Sequence, residues 1–292
     1  MIYMNNFINQ ITFVTIDGGK SFITYFMLLS LFKLLPNAKV IVLLNKNNRY
    51  IYLLEELEEK YNIRLIKNFN NSLLTYKRHR GDCSIEHCIC IDYIFNNVLD
   101  TKYMLLLDND IIFKENFLNF FVKSNLEKIQ NSVVTGFIEN DTPESALNIL
   151  LNSYRCFIDS NANLETVIKK YNINPANFYI KNNTFYITEE LKYQIRFAPY
   201  FILFNKELFK KHNLKFFNNY KTDLFFTNND FKQFFKGELY KDTLSYLTTE
   251  ITNSHAPYNN LYIYDYIHHV GGSTRNIKMT YNKYKKIITK FI

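Results

Sequence analysis

The order of apolar runs in the first half of the chain constrains its fold more than any other feature. Short β-rich stretches at 11–16, 39–44 and 63–66 alternate with longer helical segments, and a fourth apolar run, Tyr103-Met104-Leu105-Leu106-Leu107, follows them. Between the first two runs, Phe22, Tyr25, Phe26, Leu29 and Phe32 recur at helical spacing. Residues 50–61 form a helical segment with a charged face, and 84–98 read as a helix before the fourth run. A helical stripe returns every three to four residues, whereas a strand buried on both faces is a continuous apolar run. The punctuation agrees. Asp17-Gly18-Gly19 makes a turn after the first run, Pro36-Asn37 ends the first helix, and Asp100 breaks the third. Strand–helix–strand alternation predicts an α/β fold with a mostly parallel, doubly wound sheet. Ligands of such sheets bind beyond the carboxyl ends of the strands, where Asp17, Asn45 and Asp108 fall.

The second half is less regular. Strands are expected at 132–138 and 197–204, helices at 143–151, 228–235 and 241–252, and a last strand at 261–267. Residues 152–193 are polar and show no readable period. After Arg275 the chain becomes basic. No repeat or low-complexity linker divides it, so one domain is expected over 1–275, with halves at 1–138 and 139–275 and a basic amphipathic tail at 276–292.

Composition narrows the classes. With 292 residues and 47% apolar content the chain can bury a full core, which excludes disorder as the default. Its aromatic residues are all Tyr and Phe, and with the many Asn, Ile and Lys they reflect an AT-rich coding bias, so aromatic stripes are not read as binding features. A net charge of +8 suits nucleic acid, anionic lipid or a phosphorylated substrate, and lysine-rich coding accounts for it equally well. No basic leader follows Met1, and the longest apolar stretch, 21–32, is shorter than the ~20 residues that span a bilayer. Four cysteines, three of them crowded at Cys83, Cys88 and Cys90, do not read as a disulfide framework. A cytoplasmic setting is expected.

The sharpest chemical signal is Leu107-Asp108-Asn109-Asp110-Ile111. A buried strand ends in two carboxylates one residue apart and the chain then resumes apolar. Such carboxylates are costly unless something positive sits between them. A hard divalent cation, Mn²⁺ or Mg²⁺, bridging to a diphosphate suits oxygen ligands of this kind. A turn or helix cap built from Asp-Asn-Asp is the structural alternative.

Over 71–117 the chain resembles family-2-like, nucleotide-sugar-dependent glycosyltransferases of GT-A fold. The pieces are a basic loop, Arg78-His79-Arg80-Gly81-Asp82, a helix from Ser84, and the strand closing in Asp108-Asn109-Asp110 with an aliphatic pair after it. The resemblance implies that Asp108 and Asp110 hold Mn²⁺ or Mg²⁺, with Asp108 also facing the ribose and Asn109 beside it. It implies donor contacts from Arg78, Arg80 and Asp82. Phe13-Val14-Thr15-Ile16-Asp17 resembles the family's first strand and base-binding loop, which makes Thr15 and Asp17 donor residues. Asn45 ends the second strand, where many family members carry Asp and Ser. His268-His269-Val270-Gly271-Gly272 resembles the family's H-x-G-G segment, in which the His completes the metal site or touches the diphosphate. Alignment on the glycines favours His269, and Arg275 follows as a phosphate partner.

Leu239-Tyr240-Lys241-Asp242-Thr243-Leu244 resembles a D-T-G-type segment of related bacterial sequences, with Leu244 standing where they have Gly. The resemblance implies Asp242 as the base that deprotonates the acceptor in an inverting transfer. Asp223, Asp230 and Glu250 are competitors, and Asp242 can equally be a helix N-cap. The implied activity moves a sugar from a nucleoside diphosphate donor, UDP-sugar favoured, to a glycan, lipid-linked or protein acceptor. In that reading the 1–138 half binds the donor and the 139–275 half the acceptor.

Two motifs are set aside. Asp17-Gly18-Gly19-Lys20-Ser21 ends like a phosphate-binding loop but has Val14 where that pattern needs Gly. His79, Cys83, His87, Cys88 and Cys90 match no common zinc spacing. A sugar-phosphate nucleotidyltransferase is the enzymatic alternative and should carry a Gly-rich basic loop after its first strand. A basic nucleic-acid-binding protein would need Lys and Arg interleaved with aromatics, and only 278–292 has that pattern, so no nucleic-acid partner is expected. In the same tail Tyr281, Tyr284, Ile288 and Phe291 recur at helical spacing beside Lys283, Lys286 and Lys290. Such a helix can touch an anionic membrane peripherally or pack on the domain.

Overall fold

The computed structural model describes residues 2–44, 50–67, 69, 82–139, 178–181, 184–187, 196–216, 244, 247–248, 250–251, 254–270 and 286. Helix α1 (Ile2–Ile8) leads into β1 (Ile11–Asp17), α2 (Ser21–Leu34), β2 (Lys39–Leu44), α3 (Ile51–Lys60) and β3 (Ile63–Ile66). Next come α4 (Asp82–Tyr93), a π-helical turn (Ile94–Val98), β4 (Tyr103–Leu107), β5 (Ile111–Phe113), a 3₁₀ segment (Glu115–Phe121), α5 (Lys123–Gln130) and β6 (Val134–Glu139). A hairpin of β7 (Phe178–Lys181) and β8 (Thr184–Ile187) precedes the long strand β9 (Arg196–Asn205), α6 (Lys206–Lys211), β10 (Tyr258–Asn260) and β11 (Ile267–His269).

Seven strands form one sheet in the order β10-β6-β9-β4-β1-β2-β3. Four neighbouring pairs are parallel, and β9 runs antiparallel to both β4 and β6. The expected α/β, mostly parallel, doubly wound sheet therefore forms. From β1 the chain steps outward through β2 to β3, then returns to the other side of β1 as β4. That reversal opens a crevice between the carboxyl ends of β1 and β4, with Thr15 level with Leu107.

Alternate residues of each central strand are buried on opposite faces. Phe13, Val40, Val42, Leu105 and Leu107 pack with Met27, Leu28 and Leu31 of α2. Val14, Ile41, Leu43, Met104 and Leu106 pack on the other side with Ile91, Ile94 and Phe95. Each such aliphatic side chain contributes about 1.5–3 kcal/mol by leaving water, which is why these strands read as unbroken apolar runs. Helix α2 forms where its spacing predicts, but its inner face differs from the expected stripe. Tyr25, Phe26 and Leu29 are only half-buried, while Ile23, Met27, Leu28 and Leu31 are buried. The helix is apolar nearly all round, so periodicity identifies the helix without selecting its core face.

The return strand β9 is irregular. Its register against β6 shifts between Gly136 and Ile138, whose partners are Ile202 and Phe197. Pro199 lies inside the shift, which is where a strand flanked on both sides can spare a donor. A Cβ on Gly136 would sit 3.1 Å from Ile202 Cγ1, so the close approach there depends on glycine.

One sequence expectation is corrected. The strand expected at 261–267 does not form: 261–266 are loop and turn, and only Ile267 is in a strand, as the first residue of β11. The chain leaves β10 at Asn260, and the Tyr266 and Ile267 N–H groups both turn back to the Ile263 carbonyl, at 2.9 and 3.2 Å. Ile263 and Ile267, each buried, are four residues apart on one side of that turn, while the tyrosines between and before them are half-buried or exposed. Alternating Tyr and Ile imitate the two-residue period of a strand here. The helices expected at 143–151 and 228–235 lie outside the described residues, as do most of 241–252 and the tail apart from Lys286. The β7–β8 hairpin falls in the stretch that showed no readable period.

Candidate active site

The Asp108-Asn109-Asp110 triplet is the joint between β4 and β5 at the crevice. Strand β4 ends in the sheet at Leu107, and the Asp108 N–H makes one further bond across to the Tyr200 carbonyl of β9, at 3.1 Å. The chain then leaves the sheet, and β5 pairs with β11 instead. Several backbone donors along this exit find partners outside the main sheet. The Phe113 N–H reaches the buried Ser30 Oγ of α2 at 3.1 Å, the Lys114 N–H reaches Tyr266 O at 2.9 Å, and the Val270 N–H reaches Asp110 O at 2.9 Å. Behind β5 the 3₁₀ segment packs Phe117 and Phe120 onto Phe201 of β9, with ring centroids 6.1 and 5.2 Å apart, and Phe120 onto Tyr266 at 5.6 Å. A rigid aromatic floor thus supports the acidic joint.

Antiparallel pairing of β11 with β5 sets His269 opposite Ile111, next to Asp110. His269 Nε2 lies 3.3 Å from Asp110 Oδ1, while His268 is exposed. The contact is within ion-pair distance but lacks the alignment of a hydrogen bond, and among the described residues Oδ1 is buried without a hydrogen-bond donor. Leaving a buried acceptor unmet costs about 1–3 kcal/mol, and more when it is charged. The His269 ring lies flat on Tyr200, with centroids 4.2 Å apart and planes 11° apart. The Tyr200 hydroxyl bonds to that of Tyr264. Asn109 Nδ2 points to Thr24 Oγ1 of α2 at 3.4 Å, a long contact.

At the end of β1 the geometry is different. Thr15 and Asp17 are both fully buried. Asp17 Oδ1 accepts the Gly19 and Lys20 N–H groups at 2.8 and 2.9 Å, and its Oδ2 accepts the Ser21 hydroxyl. Asp17 therefore closes its own loop, an Asx-type turn that leads into α2. Gly19 takes φ 103°, a left-handed value that glycine adopts without strain. Among the described residues Thr15 Oγ1 is buried with no hydrogen-bond partner.

The structure brings Asp110 and His269 together and sets Asp108 and Asn109 at the same joint. Asp82 begins α4. Asn45, Arg78, Arg80, Asp242 and Arg275 lie outside the described residues, as do the competitors Asp223 and Asp230, while Glu250 is half-buried. Leu244, where the D-T-G-type pattern has glycine, is buried and takes φ 68°. It keeps the backbone that a glycine would give while its side chain fills the core, at a cost of roughly 1–2 kcal/mol. Sequence reasoning missed Tyr200 and Tyr264, although a proline inside an apolar run at 197–204 was a legible sign of a bulge that redirects its neighbours. Cys88 and Cys90 are buried thiols, and burial pushes Cys88 up to about 11. Among the described residues no group of three or more His, Cys, Asp or Glu side chains gathers as a self-sufficient metal cage. A two-residue site suits Mg²⁺ or Mn²⁺, which take one or two protein ligands and fill the remainder with water and phosphate oxygens.

No family model matches the sequence, and no curated protein matches it. Solved structures match it in fold. The galactosyltransferase LgtC, in complex with donor and acceptor sugar analogs, superposes with a TM-score of 0.50 at 10% identity over 96% of each chain. A 4-diphosphocytidyl-2C-methyl-D-erythritol synthase from Anaerococcus prevotii gives 0.44 at 11% identity, covering 97% of this chain and 99% of its own. The mannosyltransferase PcManGT from Pyrobaculum calidifontis, in complex with GDP-Man and Mn²⁺, gives 0.40 at 8% identity over 86% and 54%. The shared feature is the fold: a Rossmann-like α/β sheet of GT-A type.

Proposed function

We propose that this chain is a glycosyltransferase that moves a sugar from a nucleoside diphosphate donor, UDP-sugar favoured, to a glycan, lipid-linked or protein acceptor. One observation carries the reading: a buried, donorless Asp110 Oδ1 facing His269 Nε2 at 3.3 Å, at the mouth of the β1–β4 crevice. Two ligand atoms of opposite elements, close but not hydrogen-bonded, suit a shared cation better than each other. Asp110 and His269 would hold Mn²⁺ or Mg²⁺, with Asp108 as a further ligand or ribose partner. When bound, such an ion offsets the charge that develops on the departing diphosphate.

The remaining roles belong to the chain itself. Asn109 and Asp108 orient the donor at the joint, Thr15 and Asp17 set the shape of the β1 end, and Asn45, Arg78, Arg80, Asp82 and Arg275 are proposed donor contacts. Asp242 is proposed as the base that takes the acceptor proton as its oxygen attacks the anomeric carbon, which makes the transfer inverting. We retain 1–138 as the donor half, 139–275 as the acceptor half, and the tail as a peripheral contact with anionic membrane in a cytoplasmic enzyme. No described helix is long and apolar enough to cross a membrane. The nucleotidyltransferase alternative needs free loop amides after β1 for phosphate. Those of Gly19 and Lys20 are committed to Asp17, which disfavours it.

The test is donor hydrolysis and transfer by purified protein against a panel of nucleotide sugars, with Mn²⁺ or with EDTA. Turnover that needs the ion, lost in Asp110→Ala, is expected. Full activity in EDTA removes the metal role, and inertness toward every nucleotide sugar removes the reading.

A further inference from the structure

We infer that Tyr200 is a positioning residue that holds the His269 imidazole against Asp110, an inference that rests on the metal reading above. A histidine on a three-residue strand has two rotatable side-chain bonds, and its Nε2 meets a cation only when the ring plane is fixed. Histidine ligands are usually fixed by a hydrogen bond at their other ring nitrogen. A flat aromatic shelf also restricts the ring here, since the Tyr200 ring lies 4.2 Å from the imidazole and within 11° of parallel.

The shelf is itself braced. Tyr200 is 4% exposed, and its hydroxyl bonds to that of Tyr264. The Tyr264 carbonyl accepts Lys114 Nζ at 2.5 Å, which ties the pair to the residue that follows β5. The Tyr200 carbonyl meanwhile accepts the Asp108 N–H at 3.1 Å. One residue thus grips the first member of the acidic triplet with its backbone and, with its ring, the histidine that meets the third. The register shift around Pro199 makes this geometry available, because a regular strand would send the neighbours Tyr200 and Phe201 to opposite faces, whereas both pack in the same core cluster. Preorganisation of this kind raises affinity by removing rotamers from the empty site rather than by adding a ligand.

The experiment is a titration with Mn²⁺ alone, following the free-ion EPR signal, for wild type, Tyr200→Phe, Tyr200→Leu, His269→Ala and the Tyr200→Leu/His269→Ala double variant. Tyr200→Phe keeps the flat ring and should bind Mn²⁺ within about threefold of wild type. Tyr200→Leu should weaken binding by about 10-fold, in the range found for groups that orient a ligand. In the His269→Ala background the same substitution should cost nothing further, because there is no imidazole left to hold. Equal affinity in wild type and Tyr200→Leu overturns the inference, and so does an undiminished Tyr200→Leu effect without His269. A wild type that ignores Mn²⁺ instead overturns the metal reading itself, and the inference falls with it. Should Tyr200→Leu fail to fold, Tyr200→Met fills the space without a planar face and is read by the same criteria.

Discussion

The strands β1 to β4 and the strands β9 to β11 were built under different rules. In the first group successive strands are connected through helices, each lies parallel to its sheet neighbour within the group, and the central strands β1, β2 and β4 are buried on both faces. In the second group the partners are far apart in sequence: β9 inserts antiparallel between β4 and β6, β10 joins β6, and β11 reaches back to β5. The first group makes the platform, and the second brings His269 to Asp110 at its edge. Regular winding is cheap to specify locally, whereas a site that closes across the molecule depends on short strands, bulges and aromatic shelves.

That contrast can be broken at several points. The largest expected effect is at the junction: Asp110→Ala should lower transfer by about 10³-fold, the equivalent of about 4 kcal/mol of charge stabilisation, as should EDTA on wild type. Its melting temperature without metal should not fall, because the variant removes an unmet buried acceptor; a large drop would make Asp110 structural. Next comes Phe201→Ala, on the strand that binds the two groups. This residue is fully buried against Phe117 and Phe120, so urea unfolding should show a loss of about 3–5 kcal/mol. A loss under 1 kcal/mol would mean that β9 is dispensable to the platform.

A smaller effect is expected from pH. Burial pushes His87 of α4 down to about 4. Between about 6.5 and 4 the unfolded chain binds a proton there that the folded one refuses, so stability is full above 6.5 and declines as pH falls through that window. The residue as a whole is half-buried, so we expect about 1–2 kcal/mol rather than the full shift, with His87→Gln flattening the profile. Smallest of all is the surface pair Lys39–Asp100, 2.5 Å apart but with 37% and 66% of its side chains exposed. Lys39→Ala should cost under about 1 kcal/mol at low salt, and nothing measurable at 1 M.

The same contrast explains what could be read from sequence. The platform was legible because burial on both faces leaves an apolar run that needs no partner to be recognised, as in Leu105-Leu106-Leu107. The acidic joint was legible because two carboxylates against such a run have few inexpensive explanations. The inner face of α2 was not, since a helix apolar on every side carries no phase. The turn at 264–266 was misread because Tyr and Ile alternate there, although the buried Ile263 and Ile267 stand four apart. Tyr200 was missed for a similar reason. Its importance comes from a register shift against β6, and register is a property of two segments rather than one.

The late pairing of β11 with β5 has a consequence for synthesis. While the ribosome is still making the second half, the platform holds Asp110 but no His269, and β4 has β1 on one side and nothing on the other until β9 emerges. An unfinished chain is thus sticky along a bare strand edge and incompetent at its centre at the same time. On the proposed reading, a chain that stops before β11 holds Asp110 without its histidine partner.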